Sequence, residues 1–293
     1  MSIVVNTNIG SLNAQRSLAE SSRELSTAME RLSSGKKINS ASDDAAGFAI
    51  AERMTAQVRG LNMATKNAND GLAMLATIEN ATNDVTDMLQ RVRELAVQAA
   101  NDTNSGTDRE YLQLEVDSLL AEINRVSSQT VYNNQNVLDG SRSGTLQVGT
   151  DNGQTIAFNI ESIDTGALGL TNFEVNDADG NAPGTNDYTS TTSSLSVLDA
   201  GAAAEALDKI SIAIEQVAED RAGYGALANR LEYTVSNLMN VAEFTTAARS
   251  RIEDADFAAE SARLAKAQVL QQTGTAMLAQ ANASSQLAIQ LIR

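Results

Sequence analysis

Apolar residues recur along this chain at alternating intervals of three and four. Counted from Gly47, the positions Ile50, Met54, Gln57, Leu61, Ala64, Ala68, Gly71, Leu75, Ile78, Thr82, Val85, Leu89, Val92, Ala96 and Ala99 keep that rhythm, and twelve of the sixteen are apolar. This is the 3.5-residue period of a coiled-coil seam, sustained for about seven heptads. A helix over 45–100 rises 1.5 Å per residue and would be roughly 80 Å long, so it needs a partner of similar length. One lies towards the other end of the chain. Leu207, Ile210, Ile214, Val217, Arg221, Tyr224, Ala228, Leu231, Val235, Leu238, Ala242, Thr245, Arg249 and Ile252 repeat the spacing, with eleven of fourteen apolar. The two seams are predicted to pack antiparallel.

Shorter segments surround this pair. Leu18, Leu25 and Leu32 stand seven apart and predict a helix over 11–33. Thr107 and Glu110 read as a capping box ahead of Leu112, Val116, Leu119, Ile123 and Val126, after a stop at Asn104-Ser105-Gly106. The last helix, about 257–291, spreads Leu264, Ala267, Leu270, Met277, Leu278, Ala281, Leu287 and Leu291 over more than one face, which calls for several neighbours. Between 144 and 160 the period drops to two, with Leu146 and Val148 before Asp151-Asn152-Gly153 and Ile156, Phe158 and Ile160 after it, a β-hairpin signal. Residues 176–194 are almost devoid of apolar side chains and read as an exposed tip. The fold class is therefore mainly α: long antiparallel coiled-coil helices forming a rod, with a small β-hairpin region and a polar tip loop.

Composition narrows the function classes. The 293 residues include no His, Cys or Trp and a single Pro, Pro183, so histidine- or thiol-based catalysis, disulfides and the commonest metal ligands are excluded. No cofactor or metal is expected. A net charge of −16 argues against nucleic acid or an anionic membrane as partner, and neither a secretory signal nor a run of 18 apolar residues is visible. The charge is uneven. Residues 1–42 and 256–293 together sum to +3, leaving −19 for the middle, where 139–200 hold nine acids and one base, Arg142. Near-neutral ends on an acidic middle suit burial of the ends against one another, because unpaired buried charge is costly. The carboxylate pairs Asp43/Asp44, Glu253/Asp254 with Asp256, and Asp177/Asp179 fit helix caps and solvated loop acids better than acid–base or cation sites.

The stretches RLSSGKKINSASDDAAG at 31–47, NANDG at 67–71, LQRVRELAVQAAN at 89–101 and SRIEDADFAAESARLAKAQVLQQTGTAMLAQAN at 250–282 closely resemble bacterial flagellin. The resemblance covers about 175 N-terminal and about 95 C-terminal residues. Where many flagellins carry large outer variable domains, only about twenty polar residues stand, so the chain resembles a minimal flagellin. The resemblance implies an inner coiled-coil core domain of 1–42 plus 256–293, an outer helical shaft of 43–175 plus 195–255 with the hairpin near 144–160, and a short tip at 176–194.

Function follows as implied by that family: a non-enzymatic subunit that self-polymerises into the extracellular flagellar filament for motility after export through the flagellar type III secretion channel. The implied partners are further copies of itself, filament cap and hook-associated proteins, and an export chaperone at the C-terminal segment. Core polymerisation contacts are expected from Leu18, Leu25, Leu32, Leu264, Leu270, Met277, Leu278, Leu287 and Leu291. In flagellins that activate Toll-like receptor 5 the 89–101 helix carries the recognition patch, and the matching positions are Gln90, Arg91, Leu95 and Glu115, with subunit contact as the plainer role for the same surface. Thr189, Ser190, Thr191, Thr192, Ser193 and Ser194 are candidates for O-glycosylation, as in some family members. Competing readings are a hook–filament junction protein and an intracellular helical signalling scaffold.

Overall fold

The computed structural model describes residues 8–170 and 195–292, with backbone alone for 284–292. The tip at 176–194 and the Thr189–Ser194 run therefore lie outside the described residues, as do the side chains of Leu287 and Leu291. Five long helices and two small antiparallel strand pairs follow in the order α1 (Ile9–Ser34), α2 (Ala45–Ala99), α3 (Gly106–Gln129), β1 (Val131–Tyr132), β2 (Gln135–Asn136), β3 (Ser143–Gln147), β4 (Thr155–Asn159), α4 (Ala200–Glu253) and α5 (Phe257–Ile292). They make two compact units. One draws on the described residues of Met1–Arg59 and Val241–Arg293, the other on those of Gly60–Asn240, so α2 and α4 contribute to both.

In the unit of Gly60–Asn240, every seam position expected on α2 from Leu61 to Ala99 is buried. Its partner column on α4 is Ile210, Val217, Tyr224, Leu231 and Leu238, also buried. The helices run antiparallel: Gly71 faces Leu231, and Glu79 accepts from Arg221 at 2.7 Å. Polar seam members thus have local explanations. Arg221 reaches out of the seam to Glu79, and the buried Thr82 hydroxyl donates back to the Ile78 carbonyl at 3.0 Å. Gly71 marks a close approach, since a Cβ there would stand 2.5 Å from Leu146 Cδ1 on β3 and the Leu146 side chain would have to shift.

Helix α3 begins two residues earlier than the capping box read from Thr107 and Glu110. The box is Ser105 with Asp108, each side chain bonding the other's backbone N–H. Val116, Leu120 and Ile123 of α3 then join Leu89, Leu95 and Ala99 of α2 in one buried cluster. The segment after α3 is stitched to it by side chains: Ser127 donates to the Leu138 carbonyl, Asn124 accepts from Thr165, and Gln113 bonds both the Leu195 carbonyl and the Val197 N–H. The expected hairpin is present as β3–β4, with Leu146 opposite Ile156. A second hairpin, β1–β2, turns at Asn133 and Asn134, both in the left-handed region. Asn is the non-glycine residue that tolerates this best, so the Asn-Asn pair was its sequence signal.

Tyr224 gives this unit a pH-dependent element. It is 6% exposed and its hydroxyl has no hydrogen-bond partner among the described residues. Burial, then the negative charge of Asp220, push its pKa up to about 12; the Glu161 backbone N–H acts weakly the other way without making a bond of hydrogen-bond geometry. A tyrosine in the unfolded chain titrates near 10. The unfolded state therefore loses its proton first, and folding stability falls as pH rises from about 10 to about 12. Tyr224→Phe should remove that component, and at neutral pH it should leave stability unchanged or raise it by about 1 kcal/mol because an unpaired buried hydroxyl is deleted. Urea midpoints at pH 8 and pH 11.5 measure this: the variant's advantage is expected to widen at high pH, and parallel losses in both proteins would refute it.

In the other unit, α1 and α5 pair antiparallel. Asn8 caps α1 and also donates to the Ala281 carbonyl at 2.8 Å; Leu18 faces Gly274; Arg31 meets Glu260 at 3.4 Å. Gly35 ends α1 in the left-handed conformation. The following chain is held to the end of α4, with the Lys37 N–H donating to the Glu253 carbonyl and the Ala255 N–H to the Gly35 carbonyl. Asp44 caps α2 through the Ala46 and Gly47 amides. On the first turns of α2 the inward column is Gly47 and Ala51, both buried, with Met54 and Val58 half-buried, and not the expected Ile50 and Gln57, which are exposed. The two phasings share Gly47, Met54 and Leu61, and the more apolar Ile50 favoured the wrong one.

Candidate functional site

The α1–α5 pair is short of cover. Leu18, which faces Gly274, and Leu25 and Leu32 on α1 are half-buried, as are Leu264 and Leu278 on α5, and Ala28 and Ala267 are the buried apolar residues of the two helices among the described residues. A helix pair buries only the facing sides of its members, and apolar residues on the remaining sides need other neighbours. Ile9, Leu12 and Met29 on α1, and Phe257, Val269, Leu270 and Met277 on α5, are exposed. Of the residues expected to make subunit contacts, Leu270 and Met277 are exposed, while Leu18, Leu25, Leu32, Leu264 and Leu278 are half-buried. Ile9, Leu12, Met29, Phe257 and Val269 were not picked out by sequence. Their signal was the multi-faced apolar pattern of the last helix and the residues flanking the leucine heptads.

Several charges of this unit are paired or serve as caps. Glu260, 5% exposed, lies between Arg31 and Arg263, the latter at 3.1 Å. Lys36 meets Glu253 at 2.5 Å, and Arg249 donates to Thr55 at 3.3 Å. The Ser40 and then the Asn39 backbone N–H groups hold the Asp43 carboxyl below its ordinary value. Asp43, Asp44 and Asp256 are therefore caps and loop ties. Among the described residues no group of acids is arranged to hold a metal ion.

The second candidate surface is on α2 and α3. Arg91 is a fork: Nη1 donates to Glu94 at 2.9 Å, and Nε donates to Glu115 on α3 at 2.9 Å. Bonding to Glu94 and then Glu115 strengthens the guanidinium's hold on its proton. Gln90, Arg91 and Glu115 are exposed and Arg91 and Glu115 are in contact. Leu95 departs from the expectation. It is 1% exposed, because position 95 falls on the second apolar column of α2, in line with Met74, Ala81 and Met88, which faces the cluster completed by α3. It underlies the patch and is not part of its surface.

Comparison with known proteins agrees with this architecture. Residues 5–143 match the family model described as the bacterial flagellin N-terminal helical region, and residues 207–292 the bacterial flagellin C-terminal helical region. The flagellin of Halalkalibacterium halodurans is 39% identical over 292 residues, covering 99% of this chain and all of that one. The flagellin of Bacillus subtilis is 39% identical over 308 residues, with 99% of each chain covered. Among solved structures, the crystal structure of Bacillus cereus flagellin is 26% identical with a TM-score of 0.47, covering 59% of this chain and 88% of that chain. Whole-length identity to flagellins disfavours the hook–filament junction alternative. The chain belongs to the bacterial flagellin family, the structural subunits of the flagellar filament, and is a member of minimal size.

Proposed function

We propose that the chain polymerises through the outer faces of α1 and α5, with residues 1–42 and 256–293 acting as the inner core of the filament and the remainder as its shaft. The observation that carries this reading is the row of exposed Ile, Leu, Met, Val and Phe side chains on a two-helix pair. A lone pair leaves that surface in water, and repeated copies of the same chain remove it. Electron microscopy of the purified full-length chain after seeding tests this directly. Long filaments are expected, and growth that stops at a short cap would contradict it. Export through the flagellar secretion channel, chaperone binding at the C-terminal segment, contact with cap and hook-associated proteins, and glycosylation of the Thr189–Ser194 run belong to the same reading by family resemblance.

The monomer is further proposed to present Gln90, Arg91 and Glu115 to Toll-like receptor 5, with Leu95 supporting them from beneath. Support comes from the exposure of the three polar side chains and from the Arg91–Glu115 contact across two helices, which fixes the guanidinium in place. Arginine is a frequent energetic centre of protein interfaces, so Arg91→Ala should weaken receptor activation by roughly tenfold or more. A cell reporter titrated with monomeric protein reads this out, and an unchanged dose–response would remove Arg91 from the recognition surface.

A further inference from the structure

We propose that Met29 on α1 and Met277 on α5 make assembly sensitive to oxidation: a peroxide-class oxidant converts their thioethers to sulfoxides in the free subunit and thereby blocks polymerisation. This rests on the reading that the outer faces of α1 and α5 are covered in the filament. The two residues are 57% and 64% exposed in the single chain. Met63 and Met239, in the other unit, are exposed to a similar degree, whereas Met74 is buried. The molecule therefore holds its own controls, equally accessible methionines that lie off the terminal helix pair.

The chemistry is two-electron oxygen transfer. A sulfur lone pair attacks one peroxide oxygen, the O–O bond breaks, the thioether is oxidised to a sulfoxide and hydrogen peroxide is reduced to water, with no change in net charge. An unbranched, polarisable side chain that adapts to an irregular contact becomes a polar group with a strong acceptor oxygen. Buried at an apolar interface, that oxygen needs a donor. Two nearby hydroxyls are already committed: one turn before Met277, the Thr273 hydroxyl donates to the Val269 and Leu270 carbonyls, and three residues before Met29, the Ser26 hydroxyl donates to the Ser22 carbonyl. Leu25 and Leu32, a turn either side of Met29, are apolar. An oxidised subunit would place a strongly polar sulfoxide in each apolar contact these methionines make.

Hydrogen peroxide applied to monomer and to preformed filaments, followed by peptide mass spectrometry and seeded growth, tests the proposal. In monomer, Met29, Met63, Met239 and Met277 are expected to oxidise at comparable rates, and in filaments Met29 and Met277 should be slowed at least tenfold. Peroxide-treated monomer should elongate seeds at least tenfold more slowly, and a methionine sulfoxide reductase with its thiol reductant should restore growth. A Met29→Leu, Met277→Leu chain should elongate normally before and after peroxide, while a Met63→Leu, Met239→Leu chain should remain as sensitive as the parent. Normal growth of subunits oxidised at both positions, or equal sensitivity of the Met29→Leu, Met277→Leu chain, would overturn the oxidation proposal and leave the assembly reading standing. Equal oxidation of Met29 and Met277 in monomer and filament would instead overturn the assembly reading beneath it.

Discussion

A chain carrying Leu270→Glu and Met277→Glu is expected to remain monomeric at concentrations where the parent forms filaments, with its fold intact. The two positions are seven apart on α5, two turns of one outward stripe, and are 40% and 64% exposed. Glutamate is a good helix former, and substitutions at exposed sites away from caps and cores usually change stability by no more than about 0.5 kcal/mol. Circular dichroism and the urea midpoint should therefore match the parent. Assembly is another matter. Placing an unpaired carboxylate in an apolar contact costs several kcal/mol per group, roughly three to five where no partner compensates, and each subunit meets that cost wherever this face is covered. A penalty of about 5.5 kcal/mol is a factor of 10⁴ in an equilibrium. Sedimentation and seeded growth should accordingly show no polymer. Unimpaired growth would mean that neighbouring subunits do not cover the outer face of α5.

The heptad leucines illustrate which parts of this arrangement the sequence disclosed. Periodicity identified all five helices to within a few residues and the whole α2 seam from Leu61 to Ala99, because there the helix has one dominant partner and burial follows apolarity. It placed β3–β4 for the same reason, a period of two beside an Asn-Gly turn. It failed where burial and apolarity part company. Ile50 is exposed while Ala51 is buried, and Leu95 is buried because α3 covers a second column of α2, which one seam could not reveal. Leu18, Leu25 and Leu32 were read as polymerisation contacts and are half-buried in the single chain; a heptad does not say whether its partner is the same chain or the next. Leu18 stands beside Gly274 of the same chain, and Ile9, Leu12, Met29, Phe257, Val269, Leu270 and Met277 are the exposed apolar side chains of the pair. The candidate recognition patch was legible only by resemblance. Nothing in the spacing of Arg91 and Glu115, 24 residues apart on two helices, joins them before α3 is folded back.

Leu89→Ala should produce the largest loss of monomer stability among single truncations of the α2 seam, about 3 to 4 kcal/mol. Leu89 is wholly buried in the continuous core to which α2, α3 and α4 all contribute. A fully enclosed site of this kind collapses only in part, and incomplete collapse is what adds a cavity cost of about 24 cal/mol per Å³ to the lost transfer energy. Leu18→Ala in the α1–α5 pair deletes the same atoms from a half-buried site bordered by one helix and by solvent. It leaves no closed cavity and should cost about 1 kcal/mol, following the smaller area returned to water. Urea unfolding of the monomer monitored by circular dichroism measures both, and Leu89→Met, which conserves volume, should cost less than about 1.5 kcal/mol. The ordering is the critical outcome. If Leu18→Ala proved as damaging to the monomer as Leu89→Ala, the terminal pair would be a self-sufficient core, and its exposed stripe would lose the energetic reason to seek another subunit.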